Sequence, residues 1–193
     1  VTSNYDISYT DGTITVTSRE IEITTLGEDF TYDAEEHTFT DFEITSEQGL
    51  ASGHSVVVSA STVYKNVVYD TENVTYTENE FTAVSVTDGV NDVTANYTIT
   101  YVLAKIKVLP KEATLTADDD EKTYDGTALN APSTFTVSGL ISGHSATAVA
   151  SGSITDAGTG ASTLGNVVIK DSSENNVTSN YDISYTDGTI TVT

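Results

Sequence analysis

No cysteine occurs among the 193 residues, which excludes a disulfide framework, a thiolate metal site and a cysteine nucleophile. Methionine is absent too, even at position 1, and only 2 prolines are present; the chain reads as a segment of something longer. Positive charge is scarce. Seven Lys and Arg stand against 29 Asp and Glu, a net charge of −22. Such a field repels nucleic-acid phosphates and anionic lipid within roughly one Debye length, so no nucleic-acid role is expected. No apolar run approaches the ~18 residues of a membrane helix, and none resembles a signal-peptide core, so no insertion into a membrane is expected. Long amphipathic helices are missing as well, because no stretch sustains a 3.6-residue period between caps.

What the chain has instead is alternation and repetition. In "TITVT", Ile14 and Val16 point one way and the threonines the other, as in a strand with one buried face. Ile21 and Ile23 oppose Glu20, Glu22 and Thr24 in the same manner, matched later by Ala113 and Leu115. The passage "VTSNYDISYTDGTITVT" occupies both 1–17 and 177–193, with a weaker copy, "VTANYTITYVLAKIKVL", at 93–109. Successive copies begin at 1, 93 and 177, offsets of 92 and 84 residues, which are lengths of immunoglobulin-type domains. The expected organisation is therefore the closing hairpin of a preceding repeat (1–17), a second repeat (18–109) and a third (110–193). The expected fold is all-β, as tandem immunoglobulin-like antiparallel β-sandwich domains.

Asp11-Gly12 and Asp187-Gly188 sit between alternating runs and predict two-residue hairpin turns. Leu103-Ala104 replaces them in the middle copy, as a distorted loop or as an apolar tip packed on an adjoining domain. A lone hairpin is marginal in water, so residues 1–17 are expected to pair with a neighbouring copy or to pack on the second repeat.

"TYDGT" at 123–127, preceded by "PKEATLTA" and followed by "GLISGHS", "ITDAGT" and "NVTSNYDISYTDGTITVT", resembles the YDG or MBG-type repeats of bacterial surface proteins. The resemblance covers 110–193 and, more loosely, 18–109. The second repeat departs from it at Tyr32-Asp33-Ala34, where Gly is replaced, and at the inserted "YKNVVYDTENVTYTENEF" (64–81). The resemblance implies a tandem module of a large secreted or wall-attached bacterial protein, extracellular, with neighbouring repeats as its partners. It implies a non-catalytic stalk that projects a distal functional domain; the alternative is an adhesive module for a host glycan or extracellular-matrix protein.

Chemistry-bearing residues are few. No base, nucleophile and orienting acid form a recognisable set, so no enzyme is expected. His54 and His144 recur in the two "SGHS" stretches, which suggests a loop role, and His37 has no counterpart. The Tyr-Asp-Gly turns read as structural, with Asp bonding its own backbone and Tyr as anchor. In "ADDDE" (117–121), Asp118 and Asp120 share a strand face and with Asp125 are the candidate calcium ligands, calcium being the one cofactor considered. Tyr64, Tyr69 and Tyr76 are the candidate ligand-binding aromatics, with core packing as the competing reading. Outward threonines suit a hydroxyl ladder or simply an exposed strand, and Lys111, Lys122 and Asn180 are of the kinds that form isopeptide crosslinks.

Overall fold

The computed structural model describes residues 4–193. Strands form where the apolar residues alternate. Arg19–Thr25 and Lys111–Ala117 show the same burial pattern along their lengths, with Ile21, Ile23 and Thr25 inward in one and Ala113, Leu115 and Ala117 inward in the other. The glutamates and threonines between them face outward, where their hydroxyls pair across strands: Ser18 with Thr98 at 2.7 Å, Thr24 with Thr45 at 3.1 Å and Thr114 with Ser184 at 2.8 Å.

Both repeats use one topology. Arg19–Thr25 pairs in parallel with Tyr97–Val102 and antiparallel with Phe42–Ile44. Lys111–Ala117 pairs in parallel with Tyr181–Thr186 and antiparallel with Phe135–Ser138. The second layer is built on Ser55–Ser61 against Phe81–Thr87 in one repeat and Ser145–Ser151 against Gly158–Lys170 in the other. In the third repeat this layer is extended by Gly188–Val192 and Asp120–Lys122. The chain is all-β, with no α-helix among the described residues, and the paired sheets are consistent with a β-sandwich. The expectation of antiparallel sheets is corrected in part, since Arg19–Thr25 runs parallel to Tyr97–Val102 and Lys111–Ala117 to Tyr181–Thr186.

That pairing also corrects the hairpin at Asp187-Gly188. Tyr181–Thr186 and Gly188–Val192 are not partners but belong to different sheets. Lys111–Ala117 makes the same crossing into Asp120–Lys122, so two parallel strands bend together from one layer to the other. Glycine is required at 188 for space and not for a left-handed backbone: a Cβ there would lie 2.6 Å from the Asp118 carbonyl oxygen and 2.7 Å from that of Ala117. Asp119 Oδ1 ties the bend by accepting from the Thr189 N–H at 2.6 Å. Leu103-Ala104 sits at the same crossing in the second repeat. There the pair lies between strands, as a distorted loop would, and is held within its own repeat: the Ala104 N–H donates to Thr25 Oγ1 and its carbonyl accepts from the Asn79 N–H, both at 2.9 Å.

The N-terminal copy behaves differently. From Asn4 to Ser18 every residue is exposed, and 5–18 contains no strand. Ile14 and Val16 are 95% and 93% exposed, whereas the equivalent Ile190 and Val192 are 0% and 2%. The expected packing of this segment on the second repeat does not occur. The reason is that its partner strands are those of another repeat's framework, and the second repeat's own slot is already filled by 97–109.

Candidate functional site

The two repeats share one continuous core. Tyr32, Tyr64, Val67, Ile106 and Val108 of the second pack with Ala113, Ile169, Val177 and Tyr181 of the third. The link is a single residue, because strand Val108–Leu109 ends at Pro110 and Lys111–Ala117 begins directly after it. Proline fixes φ and carries no N–H. Val108–Leu109 is held from the side by Phe30–Thr31 in parallel register, and the Tyr32 N–H donates to the Leu109 carbonyl at 2.8 Å.

Tyr32 follows immediately, and that backbone bond aims its ring across the junction. The ring is 2% exposed and meets Tyr181 edge-on, with centroids 5.7 Å apart and planes at 79°, an arrangement favoured by the ring quadrupoles. Asn180, 3% exposed, lies beside it and bridges the repeats. Its Oδ1 accepts from the Val67 N–H and its Nδ2 donates to Asn66 Oδ1, both at 2.9 Å. Burial pushes the Tyr32 phenol above its ordinary value, the Asn180 side chain pulls it down, and the Asp171 and Asp33 carboxylates push it up again.

Behind Tyr181 lies a small fixed network. The Tyr181 hydroxyl accepts from the Ile141 N–H at 3.2 Å and pairs with His144 Nδ1 at 2.8 Å. Tyr97 does the same with Ala51 and His54 at 3.1 and 2.7 Å. The two histidines thus pin the "SGHS" loops onto their repeats, the loop role their recurrence implied. His37 is engaged by Asp33 at 2.8 Å. Between the repeats runs a polar cleft of roughly 680 Å³, lined among others by Asp33, Lys65, Ser142, Asp171 and Asn176.

The Tyr-Asp-Gly turns adopt the predicted Asp geometry. Asp33 Oδ1 accepts from the Glu35 N–H and Asp125 Oδ1 from the Thr127 N–H, each at 2.9 Å. Ala34 takes the left-handed conformation of Gly126, φ 70° against 79°, so the missing glycine leaves the turn intact at the expense of strain. The tyrosine is not an anchor for its own turn, however. Tyr32 reaches into the next repeat, and Tyr124 is 55% exposed.

Asp118, Asp120 and Asp125 are not brought together. Lys122 Nζ holds Asp125 at 2.8 Å, and together with Thr127 it keeps that carboxyl well below the usual range. Asp120 Oδ1 accepts from the neighbouring Glu121 N–H. Among the described residues no group of three or more His, Cys, Asp or Glu is placed to hold a metal ion. Lys122 is thereby occupied at its own turn and Asn180 at the junction, so these two do not form a crosslinking pair.

Of the candidate aromatics, Tyr64 is core, 4% exposed and edge-on to Phe39 with centroids 5.7 Å apart. Tyr69 and Tyr76 remain 39% and 43% exposed. Burial and the Asp182 carboxylate of the third repeat raise the Tyr69 phenol, and Lys105 Nζ donates to the Tyr76 hydroxyl at 3.0 Å. The insertion at 64–81 therefore builds the junction through Asn66 and Val67. Sequence reasoning missed Asn66 and Val67, and it named Asn180 as a crosslink candidate and not as the bridge it forms. The one available signal was the recurrence of Asn before Tyr at 96 and 180.

Residues 113–191 match the family model described as MBG domain (YGX type), so this part of the chain is similar to a YDG/MBG-type repeat. No curated protein and no solved structure matches the chain.

Proposed function

We propose that the chain is a non-catalytic stalk: tandem immunoglobulin-like β-sandwich units at 18–109 and 110–193, with 1–17 carrying the closing strand pair of a further unit. Its place would be a secreted or wall-attached surface protein. The observation that carries this reading is the junction, where a one-residue link, a shared core and the Asn180 bridge hold two repeats in one orientation. A flexible tether would not bury Tyr32 or spend an asparagine on cross-repeat bonds, since fixing such groups costs conformational entropy. The similarity of 113–191 to the MBG domain supports a surface-protein repeat. A net charge of −22 favours solubility and mutual repulsion between neighbouring stalks. Among the described residues no helix is long and apolar enough to cross a membrane.

Small-angle scattering tests the reading. The wild-type chain is expected to scatter as a single elongated particle, and Tyr32→Ala to broaden its distance distribution by loosening the joint. A compact globular envelope for the wild type, or an unchanged profile for the variant, would overturn it. An adhesive role toward a host glycan or matrix protein is the second reading, favoured by the exposure of Tyr69 and Tyr76. Saturable binding to a glycan and matrix array, lost in a Tyr69→Ala/Tyr76→Ala variant, would establish it.

A further inference from the structure

The first strand of each repeat lies beside a strand from the repeat's other end and runs the same way. In the second repeat Arg19–Thr25 is registered with Tyr97–Val102 over six consecutive pairs, from Arg19↔Tyr97 to Thr24↔Val102. Beyond the crossing the same two ends meet again, as Phe30–Thr31 against Val108–Leu109. The third repeat follows the same plan, with Lys111–Ala117 on Tyr181–Thr186 and Asp120–Lys122 on Gly188–Val192. The second repeat has chain on both sides of it, so tension along the chain pulls Arg19 back and Leu109 forward. If the terminal strands were antiparallel, both ends would leave from one side and the pull would open one bond after another. Parallel strands send the ends out on opposite sides, so the pull slides one strand along the other and loads every bond of the pair together.

We propose that this parallel terminal pair is a force-bearing clamp, which keeps each repeat folded while the chain is under tension; its use rests on the stalk reading above. The outward hydroxyls tie the same two strands. Ser18 pairs with Thr98 at 2.7 Å and Thr100 Oγ1 donates to the Ile21 carbonyl at 3.3 Å. In the third repeat Thr114 pairs with Ser184 at 2.8 Å, and Ser184 Oγ donates to the Ala113 carbonyl at 3.4 Å. On the inner side Ile21, Ile23, Ala113 and Leu115 are at most 2% exposed, so a slip in register would drag them from a close-packed core.

The crossing between layers adds a catch. Tension draws the last strand of the third repeat forward, and a slip of one residue would bring Asp187 into the place of Gly188. A Cβ there meets the carbonyl oxygens of Asp118 and Ala117 at 2.6 and 2.7 Å, so the slip is blocked until the bend itself opens. The clamps of the two repeats also stand in series with Pro110 alone between them. No loose chain at the junction takes up the pull before the clamps do.

The test changes the direction of pulling and leaves the fold alone. With no native cysteine, introduced pairs at exposed positions fix the attachment points for single-molecule force spectroscopy of the full chain. Thr17→Cys/Thr193→Cys loads both clamps in shear. Thr17→Cys/Asn96→Cys pulls apart the neighbouring starts of Arg19–Thr25 and Tyr97–Val102, and so peels the same bonds in turn. Shear is expected to give whole-repeat events, each freeing about 280–330 Å of chain for 84 or 92 residues at about 3.3–3.6 Å apiece. Forced unfolding reads the unfolding barrier, so shear is expected to need about twice the force of peeling or more. Equal forces in the two directions, or a low-force step that frees only a terminal strand, would overturn the clamp. Scattering separates this from the stalk reading: an elongated particle with equal forces leaves a stalk without a clamp, and a compact envelope with unequal forces leaves a clamp without a stalk.

Discussion

Replacing Asn180 with alanine removes the one side chain that hydrogen-bonds both Asn66 and the Val67 backbone across the junction. The two losses differ in weight. Asn66 is exposed, so water takes over its oxygen; Val67 is buried at 7%, and its N–H is left without an acceptor. An orphaned buried donor costs about 1–3 kcal/mol, so Asn180→Ala should destabilise the chain by about 2 kcal/mol. For a protein of this size that lowers the melting temperature by roughly 4–8 °C. The sequence supplies its own control in Asn96, which stands before Tyr97 as Asn180 stands before Tyr181. Asn96 is exposed and makes no side-chain hydrogen bond among the described residues, so Asn96→Ala should stay within about 0.5 kcal/mol of wild type. Urea unfolding of the three chains compares them directly, with equal slopes indicating that only stability has changed. Equal losses in both variants would refute the reasoning, because the local motif and not the cross-repeat bridge would then carry the energy.

Ala34→Gly should stabilise by about 0.5–1 kcal/mol, since relief of the left-handed strain at φ 70° exceeds the extra entropy glycine brings to the unfolded chain; calorimetry showing a loss would contradict the turn geometry. Gly188→Ala should cost about 1–3 kcal/mol by driving a Cβ into two carbonyl oxygens, while Gly12→Ala, with nothing within 4 Å, should leave the isolated chain unchanged. Thermal melts of the pair read this, and similar shifts would show that the crossing is not tight. The Asp88 carboxyl, held at about 2 by the Asn91 N–H, the Asn91 side chain and the Val90 N–H, lies below its ordinary 3.8. Its contribution is therefore present above about pH 4 and lost as the pH falls through 2, and a carbon-detected NMR titration with a midpoint near 4 would remove the turn bonds from the account.

Much of the fold was legible because strand burial obeys a period of two. Ile21 and Ile23, Ala113 and Leu115, and Ile190 and Val192 all lie inward as their alternation required. The recurrence of "SGHS" likewise foretold a loop role for His54 and His144, although not the tyrosine hydroxyls that hold them. Pairing was not legible. Asp187-Gly188 carries the local signature of a hairpin, yet a two-residue turn and a crossing between layers both place a small flexible pair between two strands. Nor could Tyr32 be told from Tyr124, because both precede Asp in the same turn, and only packing on Tyr181 distinguishes the first.

Residues 1–17 and 177–193 mark the boundary between the two kinds of information. Identical letters determine the same alternation, the same apolar face and the same propensity to extend, and these the sequence decides by itself. Whether that face is buried depends on strands supplied by residues distant in the chain, because a strand's backbone groups and apolar side chains are satisfied only by neighbours. At 181–192 the framework of the third repeat provides them; at 4–17 no strand among the described residues does. Tertiary structure alone decides that Ile190 is core and Ile14 is surface, and that Tyr32 joins two repeats while Tyr124 faces solvent.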